Sequence, residues 1–329
     1  MSNKNKVMIL GSNSFAANSC ANYLLNRNFK VSGVARPRKL HARFDAISNF
    51  KNFTSYQIDL NTNLNKLLAL IDKIKPDYII DFAAQGMVAE SWNHPEYWFE
   101  TNILTKVKLH KFLSSKKFLL KYINISTPEV YGNCNGKLKT SNFMNPSTPY
   151  AVSKASTDMS LNTFFQQYGF PVVTGRFANF FGPYQTLYRI VPLSIHKAFN
   201  KQTIDLHGGG LSKRFFIYSD DFLEGILKLL IKGEPGKTYH FSADQMISIK
   251  NLVRTIYTKL DLNYKNYVNV TPNRPGIDFI YDLDDLKSRK ELNWSNKFSL
   301  EEGIDKTIDW YLKFQNQFTK NDETFKVKK

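Results

Sequence analysis

Short apolar runs alternate with amphipathic segments through the first half of this 329-residue chain. The apolar runs are typical of buried strands, and the segments between them have helical length and periodicity. Strands that alternate with helices form parallel sheets, because each helix carries the chain back across the sheet. The pattern therefore predicts an α/β fold built on a Rossmann-type, doubly wound parallel sheet. The predicted strands are residues 6–10, 31–35, 56–60, 77–82, 122–125 and 171–177.

The regular alternation ends near residue 182, and short segments and turns come after it. We assign residues 1–182 and 214–242 to a dinucleotide-binding domain, and residues 183–213 and 243–317 to a smaller α/β substrate domain. The polar tail, residues 318–329, is expected to fray. Within the first domain, residues 95–115 are predicted to form one amphipathic helix.

The composition narrows the possible partners. The net charge is +17, but the basic residues are spread over the whole chain, so we expect no nucleic-acid partner. No apolar run reaches the roughly 18 residues of a membrane span, and no secretory signal pattern is present, so no membrane contact is expected. Cys20 and Cys134 form neither metal spacing nor a disulfide framework. We therefore expect a cytoplasmic protein without a metal site.

The first strand, turn and helix are typical of a dinucleotide site. Gly11 allows the tight turn, and Ala17 is small enough for close packing of the helix on the strand. Ser14 takes the place of the glycine that normally lets the pyrophosphate approach the backbone, and its hydroxyl can bind a phosphate. With one glycine left, a plain strand–turn–helix remains the alternative.

Two arginines after the second strand bear on the choice of cofactor. NAD sites usually place an acidic residue there to hold the ribose 2′-hydroxyl. This chain has Arg36 and Arg38 and no acid. Arginine suits a 2′-phosphate, so we predict NADP, with NAD also possible. The alternative is that both arginines are solvated on a loop.

Candidate catalytic residues come after the fifth strand. Thr127 and Glu129 lie directly behind it in the chain, at the edge of the sheet where ligands bind in such folds. Tyr150 and Lys154 share one face of the next helix. A lysine beside a tyrosine favours the phenolate, which is a general base for a hydroxyl. The spacing alone is also compatible with a solvated pair.

Several motifs in order resemble the extended short-chain dehydrogenases/reductases of the nucleotide-sugar 4,6-dehydratase group. The resemblance covers residues 6–317. The matching motifs are Ala83-Ala84-Gln85, Thr101-Asn102, Ser126-Thr127-Pro128-Glu129-Val130-Tyr131-Gly132, Tyr150 with Lys154, Asn179 with Gly182-Pro183-Tyr184-Gln185, Arg214, and Arg274-Pro275-Gly276 with Asp278.

The resemblance implies an internal redox reaction on a nucleoside-diphosphate hexose. Tyr150 would take the proton of the sugar 4-hydroxyl while hydride moves from C4 to the nicotinamide. Glu129 would remove the C5 proton, water would leave C6, and the hydride would return to C6. Thr127 would hold the 4-oxygen and Lys154 the cofactor ribose. The product would be a 4-keto-6-deoxy sugar nucleotide.

The resemblance also implies binding residues and a homodimer that pairs the 95–115 helix and the Tyr150 helix in a four-helix bundle. Substrate contacts are expected at Gln85, Asn179, Arg214 and Arg274. Cofactor contacts are expected at Gly11, Ser14, Phe15, Ala17, Arg36, Arg38, Asp59, Leu60, Ala83, Ala84, Gln85, Asn102, Tyr150 and Lys154.

One departure from the group concerns the acid. Glucose-type members carry an aspartate that protonates the leaving hydroxyl where this chain has Pro128, so Glu129 would serve as both base and acid. Two other functions stay open. A 4-epimerase or 4-keto reductase would use Tyr150, Lys154 and the cofactor alone. A non-catalytic nucleotide-sugar-binding protein would account for Ser14 and Pro128.

Overall fold

The computed structural model describes residues 5–37, 41–48, 50–134, 136–273, 275–325 and 327. The strands in chain order are β1 (Lys6–Leu10), β2 (Lys30–Ala35), β3 (Phe53–Gln57), β4 (Tyr78–Asp81), β5 (Lys121–Ser126), β6 (Val172–Phe177), β7 (Asn179–Phe181), β8 (Ile204–His207), β9 (Lys213–Tyr218), β10 (Thr238–Phe241), β11 (Met246–Ser248) and β12 (Val268–Thr271). A seven-stranded sheet has the order β10-β6-β5-β4-β1-β2-β3. Every neighbouring pair in it is parallel, which confirms the predicted fold class.

Helices cover both faces of this sheet. The helices in chain order are α1 (Phe15–Leu25), α2 (Leu64–Ile74), α3 (Pro95–Phe99), α4 (Thr105–Leu113), α5 (Pro149–Tyr168), α6 (Ile190–Phe199), α7 (Ser219–Lys232), α8 (Ile249–Lys259), α9 (Leu286–Leu292) and α10 (Leu300–Phe314). In β1, Val7 and Ile9 pack in the layer of α1 and α7, and Met8 and Leu10 pack in the layer of α2, α4 and α5. Burial on both faces accounts for the continuous apolar strand.

Most of the second half of the chain, apart from α7 and β10, lies outside the seven-stranded sheet and its helices. β7, β9 and β11 make a three-stranded sheet, and β8 pairs with β12. Buried residues of α6, α8 and α10 form the core beside the three-stranded sheet. The division into a dinucleotide-binding and a substrate domain remains a prediction. Within the described residues, no helix combines the length and the apolar character that crossing a membrane requires.

The segment 95–115 is not one regular helix, as the sequence predicted. A π-helical turn over Glu100–Leu104 separates α3 from α4. The wider turn includes Asn102, which is 2% exposed and is hydrogen-bonded to Gln85 and Ser153. Such turns are frequently found at functional sites.

Residues 318–323 of the predicted tail pack against the body of the protein, in contrast to the fraying that we expected. The ring of Phe318 stacks on Tyr311 with 5.1 Å between centroids. Asp322 pairs with Arg43, which lies beyond β2, at 2.9 Å, and Glu323 pairs with Lys197 of α6 at 2.6 Å. One aromatic ring and two carboxylates therefore anchor a segment whose composition is polar.

Candidate active site

The turn after β1 has the form that a dinucleotide site requires. Gly11 has φ +80°, and an added Cβ would come within 2.9 Å of the Ala83 backbone, so glycine is needed here. Ser14 precedes α1 and is exposed, and its side chain does not cap the helix. Its hydroxyl and the first amides of α1 can therefore donate to a phosphate. These residues fit a bound dinucleotide.

The neighbouring strand ends place further predicted cofactor residues along the same edge. Ala17 is fully buried, as close packing of α1 requires. Phe15 stacks on Phe180 with 5.7 Å between centroids. Arg36 is the first residue after β2. Arg38 lies outside the described residues. After β3, Asp59 Oδ1 accepts the backbone N–H of Asn61 over 2.8 Å, and Leu60 is buried.

Asn102 joins the end of β4 to the helix that carries Tyr150. Its Oδ1 accepts the backbone N–H of Gln85 over 2.7 Å, and its Nδ2 donates to the Gln85 carbonyl over 3.0 Å. The same Nδ2 donates to Ser153 Oγ over 2.9 Å. These bonds fix the backbone of the segment Ala83-Ala84-Gln85 beside α5.

Glu129 lies in a 3₁₀ turn, Pro128–Tyr131, that Thr127 caps. The Thr127 hydroxyl donates to Glu129 Oε2 over 2.9 Å. Burial raises the pKa of Glu129, while the bond from Thr127 and the charges of Arg214 and Arg189 lower it. The net direction is upward, and a carboxyl group with a raised pKa is suited to both giving and taking a proton near neutral pH.

Tyr150 and Lys154 lie on α5, but their electrostatics differ from our expectation. Lys154 Nζ donates to the carbonyl of Ile125 over 2.8 Å. The pKa of Tyr150 is raised, because burial and the nearby Glu129 carboxylate oppose the phenolate; Arg189 and a hydrogen bond with Thr127 act the other way. The net direction is thus opposite to the phenolate that we expected for this pair, and the role of Lys154 in favouring the phenolate remains a prediction.

A buried network connects α5 to the turn that carries Glu129. Asp158 pairs with Arg176 at 3.0 Å and accepts the Ser126 hydroxyl over 2.6 Å. Arg176 also donates to the Tyr131 hydroxyl and to the Ser141 carbonyl, the latter over 3.1 Å. The network fixes the spacing between the two catalytic segments.

The predicted substrate residues differ in exposure and in the hydrogen bonds that they already make. Part of the Arg214 fork is occupied, since it donates to the carbonyls of Phe279 over 3.0 Å and Asp278 over 2.6 Å. Asn179 is exposed at the start of β7, and Gln85 is buried. Arg274 lies outside the described residues.

Sequence reasoning assigned no role in the site to two charged residues. Arg189, which precedes α6, is close enough to Glu129 and Tyr150 to lower the pKa of both. Asp278 accepts the Ser147 hydroxyl over 2.9 Å and the Tyr281 hydroxyl over 2.5 Å, and its charge also acts on Glu129. Asp278 was visible as part of a motif, whereas no pattern in the sequence marks Arg189.

A Rossmann-type sheet with a tyrosine–lysine pair and a carboxyl group at its carboxyl edge defines an extended short-chain dehydrogenase/reductase of the NAD(P)-dependent sugar-nucleotide dehydratase class. The family model described as GDP-mannose 4,6 dehydratase matches residues 8–307. The chain therefore belongs to this family.

Individual proteins agree with this assignment. The chain is 31% identical to the dTDP-D-glucose 4,6-dehydratase of Homo sapiens over 299 residues, 88% of this chain and 83% of that protein. The crystal structure of a dTDP-glucose 4,6-dehydratase from Streptomyces venezuelae, solved with NAD bound, matches with a TM-score of 0.87 and 24% identity over 94% of this chain and 98% of that one. The UDP-glucose 4-epimerase of Thermotoga maritima matches with a TM-score of 0.86 and 22% identity over 94% and 99%.

These findings decide several predictions. The family, the fold, the 4,6-dehydratase activity and the dependence on NAD(P) are confirmed. The epimerase match is compatible with the shared fold but does not favour that alternative. The roles of individual site residues and the preference for NADP remain predictions.

Proposed function

We propose that this chain is a nucleoside-diphosphate-hexose 4,6-dehydratase in which Tyr150 and Glu129 divide the acid–base work. The observation that carries the proposal is the half-buried Glu129 carboxyl group, which is hydrogen-bonded to Thr127 and whose charge acts on Tyr150. Oxidation and reduction at C4 alone need only the tyrosine. A second proton-transfer group beside it suits the removal of the C5 proton.

Tyr150 acts on the 4-hydroxyl. It takes the hydroxyl proton, and Arg189 and Thr127 support the phenolate that this requires. We propose that Gly11, Ser14, Arg36, Asp59 and Lys154 hold the NAD(P). When bound, this cofactor accepts hydride from C4 and supplies it to C6.

Glu129 acts after C4 has become a ketone, which acidifies the C5 proton. The carboxylate removes this proton and so becomes a carboxylic acid. Pro128 has no proton to give, so the same Glu129 proton goes to the C6 hydroxyl, which leaves as water. Reduction at C6 then requires a new proton at C5, which Glu129 relays from solvent, and Tyr150 releases to solvent the proton that it took from the 4-hydroxyl. One carboxyl group thus serves as base and then as acid, and its raised pKa favours the second role.

The diphosphate of the substrate is proposed to lie between two cations, Arg189 and the part of Arg214 that binds no carbonyl. The charges of both arginines lower the pKa of Glu129. Guanidinium groups suit phosphate oxygens in geometry and charge. The base and the sugar of the substrate are left open by these contacts.

NADP is the proposed cofactor, because Arg36 comes after β2 at the place where an acid would select NAD. Fluorescence titration with NADPH and NADH tests this. Tighter binding of NADPH that is lost in Arg36→Leu is expected. Equal affinities in the wild type would assign the site to both cofactors and remove Arg36 as the determinant.

A homodimer is also proposed. Phe99, Leu104, Val152 and Met159 lie on α3, the π turn and α5, and are 36%, 53%, 37% and 58% exposed. Apolar side chains grouped on adjoining helices suit a second copy. Since Cys20 and Cys134 are buried free thiols, we propose the cytoplasm as the compartment.

The activity is tested by incubating the protein and NADP with GDP-mannose, dTDP-glucose, UDP-glucose and CDP-glucose in turn. Mass spectrometry and NMR are expected to show loss of one water and a 4-keto group with one of them. An isomerised sugar of unchanged mass would instead establish an epimerase.

A further inference from the structure

A buried ion pair lies beside the active site, and the proposed mechanism does not use it. Lys106 Nζ of α4 is 2.5 Å from both carboxylate oxygens of Asp81, the last residue of β4. Tyr122 donates its hydroxyl to the same carboxylate, and His110 Nε2 lies 3.1 Å from that hydroxyl. None of the four side chains belongs to a residue more than 6% exposed.

Stability alone does not account for this pair. Desolvation of two charges offsets most of their attraction, and well-packed apolar residues of similar volume are often as stable. Apolar side chains could take the place of the pair in this sheet, since both of its faces are buried. The contacts of the pair with its surroundings indicate what else it does.

One contact leads to the cofactor turn. Asp81 Oδ1 accepts the backbone N–H of Ala83 over 3.0 Å. The Ala83 backbone packs against Gly11, since a Cβ placed there would lie 2.9 Å from it. Asp81 therefore fixes the turn that packs against the dinucleotide loop.

The other connection leads to Lys154. Asp81 is in register with Asn124 of β5, and the next residue, Ile125, accepts the hydrogen bond of Lys154 Nζ over 2.8 Å. Burial lowers the pKa of Lys154, Asp158 and Asp81 raise it, and Lys106 lowers it. Asp158 is itself paired with Arg176.

We propose that Asp81 and Lys106 are positioning residues, a buried ion pair that holds the Ala83 turn and balances the charge around Lys154. Because Lys106 neutralises the Asp81 carboxylate, that carboxylate is not left unpaired at the end of β4. The Lys154 ammonium group can then stay in its buried site. The proposal rests on the proposed function, which places Lys154 at the cofactor. Its test does not require turnover, so the two can fail separately.

The charge role is tested by NMR titration of protein labelled with ¹³Cε-lysine, with Lys154→Arg used to assign the signal. Asp81→Asn is expected to lower the pKa of Lys154, Lys106→Met to raise it, and the double variant to bring it back towards the wild type. Lys116→Met, in a partly exposed pair with Asp72, is the control and should leave it unchanged. Shifts of the same sign in both single variants, or no shift in either, overturn the proposal.

The turn role is tested by comparing two double variants. Both carry Lys106→Met, and in both the charge at residue 81 has been removed. Asp81→Asn keeps an oxygen for the Ala83 N–H, and Asp81→Ala does not. The alanine variant is expected to bind NADPH about tenfold more weakly than the asparagine variant, the effect of about one lost hydrogen bond. Equal affinities at equal melting temperature overturn this role.

Discussion

Thr127 is hydrogen-bonded to Glu129 twice: its hydroxyl donates to Oε2 over 2.9 Å, and its oxygen accepts the Glu129 backbone N–H over 3.3 Å. A hydrogen bond with Thr127 also lowers the pKa of Tyr150. A single hydroxyl thus contacts both groups that we expect to move protons, and it orients the carboxyl group from two residues away.

Replacing Thr127 should change the pH dependence of the reaction. Thr127→Val keeps the volume but loses two hydrogen bonds, one that lowers the pKa of Glu129 and one that lowers the pKa of Tyr150. Both pKa values should rise, so the limb on which activity increases with pH should move to higher pH, and kcat should fall about 10²-fold. A pH profile of kcat measures this, and Thr127→Ser should retain the wild-type profile. An unshifted limb in Thr127→Val would contradict the role.

Glu129→Gln should remove the second proton transfer. We expect water loss to fall by about 10²- to 10⁴-fold, since an amide cannot accept the C5 proton. Exchange of the C5 hydrogen with solvent deuterium, monitored by NMR, should stop as well. Glu301→Gln, at an exposed position on α10, is the control. Continued exchange in Glu129→Gln would assign C5 proton removal to another group.

Arg189 should contribute to substrate binding. Arg189→Met keeps much of the side-chain length without the charge, and a lost guanidinium–phosphate contact should raise KM about 10- to 100-fold. The comparison is Arg254→Met on the exposed face of α8. Steady-state kinetics with the substrate found in the panel separates KM from kcat. Equal KM values in the two variants would exclude Arg189 from the phosphate site.

Two buried histidines should make the protein less stable in mild acid. Burial lowers the pKa of His110 and of His240 from 6.5 to about 3. The unfolded chain therefore takes up protons first as the pH falls below 6.5, and each histidine should cost about 1.4 kcal/mol per pH unit below that value. Urea unfolding at neutral pH and about one unit below the unfolded pKa tests this. His240→Gln should show a smaller loss than the wild type, and the exposed His94→Gln should show the same loss.

The proposed dimer should depend on the apolar face of α3, the π turn and α5. Leu104→Glu places a charge at a side chain that is 53% exposed, and it should give a monomer in light scattering. Ile231→Glu, at a residue 59% exposed on α7, should leave the dimer intact. A dimer that survives the first change would place the interface elsewhere.

The strands and the site residues that come after them could be predicted, because both follow from local patterns in the sequence. The strands were visible because burial on both faces requires unbroken apolar runs, and the residues that come after each parallel strand lie at one edge of the sheet. Thr127, Glu129, Tyr150 and Lys154 were identified on that basis and through the resemblance.

Features set by distant contacts could not be predicted. Arg189 reaches the site through the packing of the elements outside the seven-stranded sheet, and the pKa of Tyr150 depends on burial and on Glu129 more than on its helical neighbour. The π turn at Asn102 is held by hydrogen bonds to Gln85, which lies 17 residues away in the chain. The helix propensities of single residues contain no information about such long-range hydrogen bonds.

The anchored tail affects how the protein is made. Asp322 leaves the ribosome 279 residues after Arg43, its partner. Until then the guanidinium group of Arg43, which is 8% exposed in the finished protein, lacks the carboxylate that neutralises it. Domains that emerge first generally fold first, so the pair between Arg43 and Asp322 forms after the chain between them has emerged, as one of the last contacts of the loop after β2.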